Sequence, residues 1–381
     1  MLQRAAGGCA ARETRLWSAI PNLRRLAMRS AARTLRHPSD LVRAGLVRSE
    51  RLGEIERVAA QYAVAISPAI AELIDPSDPQ DPIARQFVPD AAELIVAPEE
   101  RRDPIGDDAK SPVPGIVHRY PDRVLLKLVH VCPVYCRFCF RREQVGPRGR
   151  PALSRAELAA ALAYIRERPA VWEVILTGGD PLVLSARRLR DVVRALAAID
   201  HVKIIRVHTR MPVATPERVT RELARALKAP GKASYVVLHV NHPRELTAAA
   251  RGACARFIDV GIPMLSQSVL LRGVNDDAAT LGALMRALVE SRIKPYYLHQ
   301  GDLARGTAHL RTSIRDGQEL MRSLRGRYSG LCQPTYVLDI PGGHGKVPIG
   351  PSYIPATGRE ASSCAILDPE GRCHFYAPAG T

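Results

Sequence analysis

Val124-Leu-Leu-Lys-Leu-Val-His-Val131, followed at once by Cys132-Pro-Val-Tyr-Cys136-Arg-Phe-Cys139-Phe-Arg141-Arg142, decides how this sequence is read. An apolar run of strand length delivers a polar loop carrying three cysteines at the spacing C-x₃-C-x₂-C. Three thiolates on one loop can hold three irons of a [4Fe–4S] cluster and leave the fourth iron open. A structural zinc takes four protein ligands, and no fourth cysteine lies nearby in the sequence. The chain has eight cysteines in 381 residues. A disulfide framework is the poorer reading of them, because such frameworks belong to short secreted chains. Scattered core cysteines would not cluster on a polar loop with arginines between them.

Outward from this loop the chain alternates regularly. Apolar, β-branched runs recur at Val124–Val131, Val171–Leu176, Val202–Val207, Tyr235–Val240, Pro263–Leu271 and Pro295–Leu298. Amphipathic helical stretches such as Ser154–Glu167 and Ser185–Ile199 separate them. Ser154 with Glu157 forms a capping box that fixes where the first of these helices starts. Repeated strand–helix units imply a parallel sheet with right-handed crossovers, here an α/β partial (β/α)6 barrel over residues 115–330. Polar groups gather at the C-terminal strand ends: Gly178-Gly-Asp180, His208-Thr-Arg210, Asn241-His-Pro243, Gln267 and His299-Gln-Gly-Asp302. Barrels of this kind build their active sites there.

The flanks are different in kind. Residues 1–74 read as a helical extension, with Val42 and Leu46, and then Leu52, Ile55, Val58 and Tyr62, three or four apart. The first 36 residues are rich in Arg and Ala with few acids, a composition that can mimic a transit peptide but better suits an over-called start before Met28 or a frayed helical extension. Residues 75–114 are rich in Pro and Asp and read as a linker or wrapping arm. Residues 331–381 form a C-terminal segment. The net charge of +17 is uneven, with ten Lys/Arg against three acids in residues 1–50 and three against ten in 51–100. Arg137, Arg141 and Arg142 are interleaved with cysteines rather than aromatics, a pattern that suits anionic small molecules better than nucleic acid. No apolar run reaches the roughly 18 residues that cross a bilayer. The chain is expected to be soluble, and a cytoplasmic setting is expected for it.

Asp339-Ile-Pro-Gly-Gly-His-Gly-Lys346 places a lysine at the end of a glycine-rich loop. A pyridoxal 5′-phosphate (PLP) enzyme needs such an amine for a Schiff base. The loop is not a Walker phosphate loop, since no Ser or Thr follows Lys346.

The cysteine spacing after the first barrel strand resembles the radical S-adenosylmethionine (SAM) superfamily. Together with Tyr120-Pro-Asp-Arg123, Gly178–Pro181, Pro295-Tyr-Tyr297 through Asp302 and Asp339–Lys346, the chain resembles the lysine 2,3-aminomutase family over roughly residues 115–350. The resemblance implies a [4Fe–4S] cluster on Cys132, Cys136 and Cys139, with SAM met by Gly178, Gly179, Asp180 and Gln267. It implies PLP on Lys346, anchored by Arg123. It also implies substrate contacts from Arg141 to the α-carboxylate, and from Asp302 and Asp339 to the ε-ammonium of lysine. Two carboxylates facing one pocket suit a cationic side chain. The implied reaction moves the amino group of L-lysine from C2 to C3, giving β-lysine. An electron-donor protein such as a flavodoxin or ferredoxin would reduce the cluster, and a homo-oligomer is the usual assembly. Two departures stand out. Asn275-Asp-Asp277 lacks the cysteine that long-tailed relatives use for an intersubunit zinc, and Cys364 and Cys373 do not match its spacing, so no zinc is expected. His299 and His344 replace the more usual Tyr and Gly. Competing readings are an aminomutase serving elongation factor P modification, one acting on another cationic amino acid such as arginine, and an iron–sulfur protein that binds or modifies nucleic acid.

Overall fold

The computed structural model describes residues 33–146, 151–354, 359–360 and 363–376. The readings that concern the stretch around Met28 fall outside them. Nine strands form the main sheet in chain order: β1 (Ile116–Tyr120), β2 (Arg123–Val129), β3 (Glu173–Gly178), β4 (Ile204–Thr209), β5 (Ala233–His239), β6 (Met264–Val269), β7 (Ile293–His299), β8 (Thr335–Ile340) and β9 (Gly345–Pro348). Neighbours from β2 through β8 pair in parallel, while β1 and β9 add antiparallel edges. The result is a parallel-rich barrel sheet wrapped by helices.

The sequence reading gave six of these parallel strands. The seventh, β8, is as long as β3, β4 and β6 but polar near its end, and Pro334 and Pro341 flank it, so its apolar signal is weak. It nevertheless sets Asp339 beside Lys346, because β8 and β9 pair Asp339 directly with Lys346.

Strand alternation sorts core from cavity. On β4, Ile205 and Val207 are buried in the main hydrophobic cluster, whereas Arg206 and His208 line the central cavity. Side chains that point to opposite faces by turns produce this division without further specification. Outside the sheet, the helix Arg155–Arg166 starts at Ser154, whose hydroxyl accepts from Glu157 N while the Glu157 carboxylate accepts from Ser154 N. The helix Ala186–Ala197 buries Leu189, Val192, Val193 and Leu196, a stripe at helical spacing. Each such side chain contributes about 1.5–3 kcal/mol through burial.

Before the barrel, Leu41, Ile55, Ile66, Ile70 and Phe87 form a second cluster that takes in Val134 of the cysteine loop and Ala214. Residues 75–114 hold short helical turns at Ala84–Phe87, Ala91–Leu94 and Asp108–Lys110. Their acids are buried against barrel arginines. Glu93 pairs with Arg137 and Arg142, Asp107 with Arg119 and Arg141, Asp81 with Arg244, and Glu100 with Arg311. This corrects the reading of the arginine cluster, since Arg137 and Arg142 are held by Glu93 inside the protein and are not free for an anionic ligand. The acid-rich arm and the base-rich barrel compensate each other locally.

Strands at Arg359–Glu360, Ser363–Leu367 and Cys373–Tyr376 form a separate small antiparallel sheet. Among the described residues, no helix is long and apolar enough to cross a membrane.

Candidate active site

A cavity of about 880 Å³ occupies the barrel, near the upper end of the range for cofactor and ligand sites. Its lining includes Cys132, Cys136, Cys139, Arg123, Arg141, Gly179, Asp180, Gln267, Asp302, Asp339 and Lys346. Side chains separated by more than two hundred positions meet there because successive parallel strands present their C-terminal ends to one mouth. Of the ligand-contact residues that the family resemblance implies, Gly178 alone does not line it.

Cys132, Cys136 and Cys139 share one wall. Burial pushes all three thiols up, Cys139 to about 11, so a bare thiolate is disfavoured and a bound cation is needed to stabilise it. Among the described residues no three His, Cys, Asp or Glu side chains converge on a single-ion position. Thiols that each take a different iron of a cluster need not converge, so the donor set fits a [4Fe–4S] cluster. Arg210 Nη1 donates to Cys136 Sγ at 3.2 Å and is fixed by Gln86 and by an ion pair with Glu245. Sequence reasoning noted Arg210 only as a strand-end polar residue. Its partner Glu245 lies in the next crossover, a proximity that no local pattern reports.

Gly178 and Gly179 are required by the protein's own packing. A Cβ on Gly178 would meet Val129 O at 2.3 Å, and one on Gly179 would meet Val131 O at 2.2 Å. The end of β3 therefore lies flat against the root of the cysteine loop. The Asp180 carboxylate accepts from Thr209 Oγ1, Arg210 N and Leu182 N, tying the ends of β3 and β4 together. Its oxygens are thus engaged within the protein. Only the backbone of this turn is left for a ligand.

Lys346 stands on β9, after a loop whose Gly342, Gly343 and Gly345 all have positive φ. Its backbone N–H donates to the Tyr120 hydroxyl at 2.6 Å. Its Nζ donates to Asp339 Oδ2 and lies 3.2 Å from His299 Nδ1. An amine at the end of a left-handed glycine loop, open to the cavity, fits PLP. Arg123 stacks 3.8 Å from the Tyr120 ring centroid and pairs with Asp122 at 2.6 Å.

Charge in the cavity is unequal. Burial opposes ionisation of Asp339, but hydrogen bonding to His299 and the Lys346 charge outweigh it and hold the carboxyl below its usual range. Asp302 has no hydrogen bond or ion pair within the protein among the described residues. Burial and the neighbouring Asp339 charge push its carboxyl up to about 7. Arg141 gives Nε and Nη2 to Asp107 Oδ2 at 2.9 and 2.7 Å, which leaves Nη1 toward the cavity. Asp107 was not expected; it sits on the arm, far from the motifs in sequence.

At the position where long-tailed relatives were expected to carry a zinc-binding cysteine, Asp277 caps the helix Ala278–Glu290 by accepting from Thr280 N at 2.8 Å.

Residues 126–282 match the radical SAM superfamily and residues 321–367 match the lysine-2,3-aminomutase C-terminal family. The chain is 44% identical over 291 residues to the L-lysine 2,3-aminomutase of Clostridium subterminale, covering 76% of this chain and 70% of that one. It is 42% identical over 300 residues to the L-lysine 2,3-aminomutase of Acetoanaerobium sticklandii, covering 79% and 72%. It is 38% identical over 306 residues to the glutamate 2,3-aminomutase of Clostridioides difficile, covering 80% and 72%. With the cysteine loop, the glycine turn and the loop lysine assembled on one barrel cavity, the chain belongs to the lysine 2,3-aminomutase family of radical SAM enzymes.

Proposed function

We propose that this radical SAM aminomutase acts on L-lysine, converts it to β-lysine, and uses PLP bound to Lys346. Family membership implies a [4Fe–4S] cluster, SAM and PLP as cofactors. Cys132, Cys136 and Cys139 would hold the cluster, the backbone at Gly179 and the Gln267 side chain would meet SAM, and Lys346 with Arg123 would hold PLP. When bound, the cluster and SAM supply a hydrogen-abstracting carbon radical, and PLP supplies a π system able to share an unpaired electron.

The observation that carries the substrate reading is the unpartnered, half-buried Asp302 carboxyl, which lines the cavity close to Asp339. Two acids in one low-dielectric pocket are stable together only when one is protonated or a cation lies between them. A lysine ε-ammonium meets that need. The side-chain carboxylate of glutamate, the substrate in the name of one relative, would add a third negative charge. The Arg141 guanidinium, oriented by Asp107, has Nη1 available for the α-carboxylate. The protein's own contribution is to fix both ends of the amino acid and to keep quenching groups away.

The test compares lysine with norleucine, which lacks the charge. Asp302→Asn leaves a desolvated cation half-compensated, at about 2–5 kcal/mol. That corresponds to roughly 30- to several-thousand-fold in kcat/KM for lysine, with little change for norleucine. Arg141→Lys should depress both substrates alike. Equal losses for the two substrates in Asp302→Asn would remove lysine as the substrate and leave the family assignment intact.

A further inference from the structure

His299 closes β7 with its ring between two of the groups discussed above. Nδ1 lies 3.2 Å from Lys346 Nζ and 3.5 Å from Asp339 Oδ2. Toward an ammonium Nδ1 accepts, with the ring hydrogen on Nε2; in the other tautomer Nδ1 carries the hydrogen and donates to Asp339 Oδ2. That Nε2 is buried and has no hydrogen-bond partner among the described residues. The atom is shielded from the cavity as well as from protein acceptors, so the ring meets Lys346 and Asp339 through Nδ1 alone.

We propose that His299 is the proton acceptor for Lys346 when the lysine captures its aldehyde cofactor. This rests on the reading that Lys346 is the PLP lysine. As an ammonium, Lys346 has no lone pair to give, and one proton must leave before it can attack a carbonyl carbon. Asp339 touches Nζ but is held well ionised, too weak a base for the task. His208, His239 and Tyr297 also lie near the ring, Arg119 pairs with Asp339 at 3.8 Å and Asp302 lies near Asp339; among the described residues none of them hydrogen-bonds Nζ. Burial first, then the Lys346 charge, lower the imidazole's own affinity for protons, so it is neutral and able to accept at neutral pH.

The step balances. Lys346 Nζ passes one proton to His299 Nδ1 and uses the freed pair to bond the aldehyde carbon. The carbonyl oxygen leaves as water, taking a second proton from the nitrogen and the one His299 returns. The positive charge stays on the nitrogen, and no oxidant or reductant is involved.

The test follows PLP capture by PLP-free protein with its cluster reconstituted. The capture rate is read from the visible absorption band, and adducts trapped by borohydride are located by mass spectrometry. The native rate should level off above the imidazole pKa. His299→Gln keeps an acceptor for Nζ but takes no proton. It should be slower by about a hundredfold at pH 7, the lower end for general-base catalysis, and should climb about tenfold per pH unit. His299→Tyr should behave in the same way, and iron content should match the native protein in both. A Gln variant with the native rate and profile would overturn the proposal. If both variants fail to fold, the native profile decides: a tenfold-per-unit rise with no plateau between pH 6 and 9 overturns it equally. Lys346→Ala separates the two readings. If its trapped adduct is unchanged in place and amount, the PLP lysine itself is misassigned, whereas loss of the adduct leaves His299 as the question tested.

Discussion

The Tyr120 hydroxyl accepts the backbone N–H of Lys346 at 2.6 Å, joining residues 226 positions apart at the seam between β1 and β9. The same tyrosine ring carries Arg123 stacked on its face. One residue therefore sets both the lysine and the arginine proposed for PLP. Tyr120→Phe keeps the stacking and deletes the hydrogen bond, worth about 0.5–1.5 kcal/mol. PLP should bind about 2- to 12-fold more weakly, read by absorbance titration, with iron content unchanged.

Replacing Cys132, Cys136 or Cys139 with Ala removes one thiolate from the cluster. Each variant should lose reductive SAM cleavage and the spectrum of a complete [4Fe–4S] cluster. Metal analysis of the native protein should find roughly four irons per chain and essentially no zinc. Stoichiometric zinc resistant to chelation would point to a site involving Cys373 or Cys332.

Glu93 lies between Arg137 and Arg142, and removing its charge leaves two buried guanidinium groups uncompensated. Glu93→Gln should lower the unfolding free energy by about 3–5 kcal/mol, measured by urea denaturation. Burial opposes ionisation of Glu93, yet the charges of Arg137 and Arg142 win and hold its pKa below the ordinary 4.5. Its contribution is therefore fully present above pH 4.5 and is lost as pH falls through the lower folded value. The native protein should lose stability with acid over that window, and the Gln variant should show a shallower slope there.

Asp302, pushed up to about 7, is protonated in the substrate-free protein below neutrality. A bound ammonium favours its ionised form, so lysine binding must release that proton at lower pH. Lysine affinity should rise by up to tenfold per unit as pH climbs toward 7 and flatten above it. Norleucine affinity should lack this rise, and Asp302→Asn should abolish it for lysine. Calorimetric titration at several pH values, in buffers of different ionisation heat, checks both the affinity and the proton released.

Much of this site was legible in the chain itself. The cysteine spacing, the glycine turn and the loop lysine are local patterns, each made of neighbours whose backbone geometry the sequence dictates. The first six parallel strands were legible for the same reason, since β-branched runs alternate with helical periodicity. Folding decided how those pieces were joined. The strand β8 is bounded by prolines and ends in Asp339-Ile340, so its apolar signal is weak, and its pairing with β7 and β9 sets Asp339 against Lys346 and His299. The acids of the arm gave no local sign of their partners. Glu93 and Asp107 are ordinary surface-type residues by composition, and only burial against Arg137, Arg142, Arg119 and Arg141 gives them their role. Spacing along a chain specifies chemistry among near neighbours. Which distant charges compensate one another depends on desolvation, and that exists only once the arm has closed over the barrel.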